Sequence, residues 1–452
     1  MEMCNDRSRF YTIKIDSYFR GVSIHSKGRA MFHLRFGRIL LFCLILFFAP
    51  LLLAADWTQF RGPGGLGVSG EKDLPLTWSE TENVAWKTPM PGYGASSPIA
   101  LNGRLYVTCY SGYGIVRNQG AMEDLMFHLV CVDGKNGKII WDRRIKPELP
   151  ESTRVRDHGY AASTPVTDGS YLYVFFGKSG LFKFDLEGNR IWQKSVGTKI
   201  HGWGSGTSPM LYEDLVIVNA SVESESLVAL NRESGEIKWR AEGIVESWNT
   251  PMVVTAKSGR KELVVAIQGK VLGFNPDTGH SLWSCATDIR WYMTPSVVAA
   301  DGIVYSLGGR SGIAGLAIRT GGSGDVTATH RLWTSERGSN VSSPVFQDGY
   351  LYWMHEQRGI AFCAKAESGE IVYEQRLERA GQVYASALLA DGRLYYLTRD
   401  GHMFVLAAKP QFEQLAHNSL ADRSTFNASP VIFDGAIILR SDKNMYAIKK
   451  MN

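Results

Sequence analysis

The sequence predicts an all-β, eight-bladed β-propeller built from four-stranded antiparallel blades, with an N-terminal strand closing the last blade. Three observations predict it. A short dipeptide recurs before an apolar strand at Ser97-Pro98, Thr164-Pro165, Ser208-Pro209, Thr250-Pro251, Thr294-Pro295, Ser343-Pro344 and Ser429-Pro430, with Ser386-Ala387 in the remaining slot. A Gly turn followed by a Trp closes most units. The last unit is one strand short, and a strand of the missing kind stands before the first unit.

The period is 42–49 residues everywhere except after the first unit, where it is 67. A period of about 40–50 residues holding about four strands marks a propeller, because one blade cannot bury both faces alone. The clearest unit is Thr207–Trp239, with an apolar strand, a hairpin, the strand SLVALN, the turn ESGE and a strand ending in Trp. Pro suits the entry of the innermost strand, where a missing N–H costs least. Gly137, Gly188, Gly235, Gly279 and Gly369 suit a reversal with positive φ. The Trp that follows (Trp141, Trp192, Trp239, Trp283 and Trp333, with Tyr373 in the sixth unit) is flat enough to lie between blades. The seventh unit departs from the pattern, with KPQFEQL where others carry Gly and Trp. The last unit ends after three strands, and the segment 82–87, with Trp86 in the repeat position, supplies the fourth. Closure of this kind removes the open sheet edge.

The domains follow: a leader over 1–55, an ordered Gly/Pro-rich arm over 56–81 that is not read as a strand, and the propeller over 82–450. The leader holds eight Lys/Arg and three Asp/Glu and so carries the whole formal charge of +5. The remainder is near neutral, which excludes a nucleic-acid footprint. Ile39–Leu53 is an apolar run of fifteen residues, preceded by Arg35 and Arg38, broken by Pro50 and followed by Ala54-Ala55. That pattern is a signal peptide, too short for a membrane span, with Met31 the better initiator. The expected location is periplasmic or secreted. An uncleaved leader would be the one route to the membrane.

Cys109, Cys131, Cys285 and Cys363 remain after the leader, with no CxxC, CxxCH or adjacent pair. Alignment to the second unit makes Cys109 and Cys131 diagonal neighbours, which leaves a bridge between them open. No GxSxG, HExxH or Ca²⁺-loop pattern occurs. The segment Arg319–Asp325 is a loose loop and not a phosphate cradle.

Two insertions, Ser111–Phe127 and Lys146–His158, belong to loop types that project on one face, which marks it as the functional face. The loops entering the inner strands on that face bring Tyr93, His158, Tyr160, His201, Trp203, Trp248, Arg290, Trp291, Tyr292 and Tyr384 to the mouth of the channel. A concave mouth with aromatics and a few polar groups is the default binding site. The alternative is that these side chains plug the channel and cap strand ends. His158 and His201, with Asp157, suit a base or metal site, against the plainer role of bonding backbone. Glu223 and Glu225 at a hairpin tip read as solvated charge.

Units such as LVALNRESGEIKW and LVCVDGKNGKIIW resemble the PQQ-type repeat of quinoprotein alcohol dehydrogenases, and more closely the PQQ-binding-like, BamB-like propellers of secreted bacterial proteins. DWTQFRGPGG, VNASVESESLVAL and ESWNTP look like planctomycete-type members of that group. The dehydrogenases hold PQQ between a Trp floor and an adjacent-cysteine disulfide ring, place Ca²⁺ by carboxylate and amide ligands, and use an Asp base. The adjacent pair is absent here; Trp203, Trp248 or Trp291 would stand for the floor. The BamB-like members are scaffolds in outer-membrane protein assembly. The resemblance therefore implies a monomeric, non-redox scaffold without cofactor, holding a protein or polymer partner on the decorated face. The rival is a dehydrogenase using PQQ with Ca²⁺, or a polymer-processing enzyme.

Overall fold

The computed structural model describes residues 56–115, 119–310 and 315–451. The leader, with its hydrophobic segment 39–53 and Met31, lies outside the described residues. Eight sheets follow one another along the chain. Blade one consists of Ile99–Leu101, Arg104–Ser111, Met126–Asp133 and Ile139–Ile145, paired antiparallel in that order. The other blades repeat it, from a short inner strand to an outer one.

Burial explains the residue choice in each strand. Middle strands are covered on both faces, and all six residues of Leu215–Ala220 are buried. Outer strands alternate, and Ile237–Glu242 buries only Trp239 and Ala241. The apolar core lies between blades: Ile99, Tyr106 and Leu129 of blade one pack with Leu172, Val174 and Phe182 of blade two. Blade eight is closed as expected, with Val84–Pro89 paired to Asn444–Ile448.

Adjacent blades are joined by a repeated contact. Trp86, Trp239 and Trp333 lie flat on Gly137, Gly279 and Gly369 of the following blade, where a Cβ would stand 2.7, 2.5 and 2.6 Å from the ring. Each indole N–H donates to a carbonyl of that next turn, from Trp86 to Gly134 at 3.0 Å, Trp239 to Pro276 at 3.1 Å and Trp333 to Ala366 at 2.8 Å. Where blade seven lacks the Gly, Phe412 meets Tyr373 edge-on at 5.7 Å. Two Trp residues depart from this: among the described residues the Trp141 indole N–H finds no partner, and Trp283 turns elsewhere. It donates to buried Glu262 at 2.7 Å, because blade five has a Gly-rich insertion whose Gly324–Asp325 runs parallel to Trp283 and Ser284.

The inner ring shows what the recurrent hydroxyl does. The backbone N–H of Ser97 donates to the Thr164 hydroxyl, Thr164 to Ser208, Ser208 to Thr250 and Thr250 to Ser296. Ser296 donates to Ser343, Ser343 to Ser386, Ser386 to Ser429 and Ser429 back to Ser97, all eight between 2.9 and 3.2 Å. In blade five the ring residue is Ser296, not Thr294. The dipeptide Thr294-Pro295 sits two residues early, a register that keeps the side chain on the same face.

The arm is more than a loop. Trp57 bridges Ala100, Thr58 accepts from the Thr167 N–H, and Val68–Ser69 forms a short strand parallel to Leu389–Ala390 of blade seven. It thus crosses beneath the channel from blade one to blade seven, setting Phe60 at the floor of the central space. The reading of the arm as strandless is corrected at Val68–Ser69.

Cys109 and Cys131 are free and on opposite faces of blade one. Cys109 stands opposite His128 and Cys131 opposite Tyr106, three residues away along the strand, so the bridge left open by the sequence does not form.

Candidate functional site

The central space between the decorated mouth and Phe60 holds a cavity of about 160 Å³. Trp203, Trp248, Tyr292, Tyr384 and His158 line it at the mouth, and the inner-ring hydroxyls Ser97, Thr250, Ser296, Ser343, Ser386 and Ser429 line it below. With the arm beneath, it is a cup.

The ten expected mouth residues divide into groups. His158, Trp203, Trp248, Tyr292 and Tyr384 face the cavity. His201 and Trp291 stand behind them, with ring centroids 5.2 Å from Trp248 and 5.7 Å from Tyr292. Tyr93 and Tyr160 instead pack between blades one and two, Tyr93 through paired backbone bonds with Tyr110 and Tyr160 edge-on to the Tyr110 ring. Arg290 is exposed outside the cavity, and its carbonyl accepts from Gln268.

Each facing side chain is held. The Trp248 N–H groups donate to Met293 and Gly204, both at 2.7 Å. Tyr292 accepts from Asn340 Nδ2 at 3.1 Å. The Arg399 guanidinium lies 4.1 Å over the Tyr384 ring. His158 Nδ1 stands 2.9 Å from the Gly159 carbonyl, and burial holds its pKa below the usual value. His158 and His201 do not join Asp157 as a metal set: the His201 Nδ1 accepts from the Trp203 N–H. Among the described residues no group of three or more His, Cys, Asp or Glu could hold a metal ion.

The second insertion straps the mouth. Ser152 donates to the His201 carbonyl at 2.7 Å, and Tyr160 donates to the Ser152 carbonyl at 2.6 Å. At the far end Asp157 pairs with Arg399 of blade seven at 3.1 Å and its carbonyl accepts from Asn427. Neither Arg399 nor Asn427 was marked by the sequence, since each is an ordinary polar residue until the ring closes.

The strap also covers a carboxyl that the sequence had read as solvated. Glu223 is 2 % exposed, because its tip folds as the helical turn Ser221–Ser224 and turns the side chain onto Ser205. Burial pushes it up to about 7, and nearby Glu151 of the strap, itself raised to about 7 by burial, pushes the same way. Glu225 is solvated as expected and pairs with Lys199 at 2.6 Å. A second unforeseen cluster, Ser111–His128–Asp142, satisfies both ring nitrogens of a 2 % exposed histidine at 2.8 and 2.9 Å.

A family model described as "Outer membrane protein assembly factor BamB" matches residues 64–199, 125–372 and 323–450. The chain belongs to this BamB-like family of PQQ-type propellers. No curated protein sequence matches it. Among solved structures, this BamB-like chain is similar to the quinohemoprotein alcohol dehydrogenase of Comamonas testosteroni at 12% identity and TM-score 0.59, covering 88% of this chain and 81% of that one. BamB of Moraxella catarrhalis gives 13%, 0.54, 81% and 98%, and a europium-containing methanol dehydrogenase 12%, 0.57, 85% and 89%. At such identities the likeness shows the fold alone.

The quinoprotein branch implies PQQ, a polycarboxylate, with Ca²⁺. The cup of this BamB-like propeller does not fit that pair. Among the described residues its lining holds one charged side chain, Asp157, already paired with Arg399, and no Lys or Arg. Ca²⁺ takes six to eight oxygens with several carboxylates, and the described acidic and His side chains converge nowhere in such a set.

Proposed function

We propose that this BamB-like propeller is an extracytoplasmic, non-redox binding scaffold that uses its decorated mouth to hold a protein or polymer partner in the cell envelope, within outer-membrane protein assembly or a related task. The observation that carries it is the strapped cup: an aromatic-walled concavity closed beneath by the arm, with both insertions gathered on its side. A blind, largely apolar concavity with a few fixed polar groups suits an inserted group from a partner. The family's printed role in outer-membrane assembly and the hydrophobic segment 39–53 of the expected leader support the location.

Mixing the purified protein with PQQ and Ca²⁺ tests the non-redox part. No bound-quinone absorbance and no alcohol-dependent dye reduction are expected. Appearance of both would replace the scaffold with a dehydrogenase. Capture from envelope extract with Trp203→Ala as comparison tests the face: retained capture by a variant of unchanged melting temperature would move the binding surface elsewhere.

A further inference from the structure

We propose that the cup takes a neutral, hydroxyl-rich ligand, a sugar unit at the end or side of a glycan chain. This rests on the reading of the mouth as the binding face and names what enters it.

The first ground is the inner ring. Each of the eight hydroxyl oxygens accepts one backbone N–H from the preceding blade. A hydroxyl has one donor and two acceptor sites, so each ring hydroxyl keeps its own hydrogen and a second lone pair. Among the described residues none of the eight donates to another protein group. Accepting a hydrogen bond also strengthens the O–H as a donor. Six of the eight line the cavity, and most are nearly fully buried, Ser97 and Ser343 at 2 % exposed. The lower cup therefore offers a circle of groups that both give and take hydrogen bonds, which is the demand a sugar hydroxyl makes.

The second ground is the wall above it. Trp203, Trp248 and Tyr292 stand together, with the Tyr292 ring 5.9 Å from Trp203 and 5.7 Å from Trp248. An aromatic face carries negative quadrupolar charge and meets the weakly positive C–H face of a pyranose, while its edge leaves the ring hydroxyls free. Aromatics above and hydroxyls below match the two chemistries of a sugar in one cavity.

The third ground is charge. Among the described lining residues the single charged one, Asp157, is paired with Arg399, and the pKa of half-buried His158 is held down by burial. Arg61 bonds the carbonyls of Leu66 and Pro344 beneath the ring, and Arg156 lies 5.8 Å over the outer Trp203 ring; neither lines the cup. A phosphate or uronate would find no Lys or Arg among the described lining residues and would lose its hydration, a cost of several kcal/mol. A neutral ligand avoids it. Because the arm closes the floor, a chain is held by one unit and not threaded.

The test titrates the full propeller with cellohexaose, xylohexaose and chitohexaose, and with a galacturonate hexamer as the charged comparison, following tryptophan fluorescence and heat. Saturable binding to a neutral oligosaccharide is expected, at least about tenfold tighter than to the uronate, and weakened about tenfold or more in Trp203→Ala at unchanged melting temperature. Silence toward all three neutral sugars, while Trp203-dependent capture of an envelope protein persists, overturns the sugar and leaves the scaffold reading standing. Silence in both assays overturns both. Tighter binding of the uronate overturns the neutral class.

Discussion

The backbone N–H of Ser429 donates to the Ser97 hydroxyl at 3.0 Å, joining residues 332 positions apart and closing the inner ring. Without that oxygen a buried N–H has no partner, which costs about 1–3 kcal/mol. Ser97→Ala is therefore expected to lower the unfolding free energy by that amount and the denaturation midpoint with it. Ser97→Thr should stay near wild type, since Thr164 and Thr250 already fill ring positions. Equal midpoints for the Ala and Thr variants would show that the ring contributes nothing.

Trp239 and Gly279 are two halves of one contact and should fail together. Trp239→Ala removes a nearly buried indole between blades three and four, at about 3–5 kcal/mol. Gly279→Ala places a methyl 2.5 Å from the same ring at φ 71°, so it is destabilising as well. The double variant is expected to lose less than the sum of the two single losses, because the smaller side chain admits the methyl. Strict additivity in urea melts would separate the two residues energetically.

The Glu223–Glu151 pair gives the protein a pH dependence of definite sign. Both carboxyls sit at about 7 in the folded chain, raised by burial from an ordinary value of 4.5. Between these values the folded state binds more protons than the unfolded state, so stability is fully present below pH 4.5, falls as pH rises toward 7, and levels off above. Glu223→Gln should therefore be more stable than wild type at pH 8, on the order of 3 kcal/mol, and nearly equal at pH 4. Melting curves at the two pH values check it; a gain at pH 4 alone would reverse the sign.

Two truncations separate the arm from the closing strand. Removing residues through Lys87 takes the outer strand of blade eight and bares the edge of Asn444–Ile448, and aggregation is expected. Removing only residues before Leu74 leaves the ring closed but takes buried Trp57, Arg61 and the strand Val68–Ser69. This shorter cut is expected to give a soluble protein with a clearly lowered melting temperature, a larger loss than a strandless arm would give. Identical behaviour of both proteins in light scattering would refute the closing-strand assignment.

The blade count, the closing strand and the Trp–Gly contacts were legible because each is a local pattern repeated at a fixed interval. Register was not. Thr294-Pro295 looked like the other dipeptides, and only the ring bonds single out Ser296. Cys109 and Cys131 were aligned on the five-residue strands of blade two, whereas blade one's strands run eight residues, and an odd slip moves a side chain to the other face. Half of the expected mouth residues face the cup, since loops entering inner strands aim there by topology. Arg399, Asn427 and the burial of Glu223 depend on contacts between distant blades and leave no local mark.

The pairing of Val84–Pro89 with Asn444–Ile448 also sets the order in which the molecule can be completed. The first blade strand to be synthesised has no strand partner until the last one emerges, so its N–H and C=O groups wait through the making of seven other blades. Closing so long a loop is entropically dear only in the logarithm of its length, but it is slow, and slow non-local pairing leaves strand edges open meanwhile. A nascent or truncated chain is thus an arc with two adhesive ends, and the native ring is the state in which those ends have found each other instead of a neighbour's.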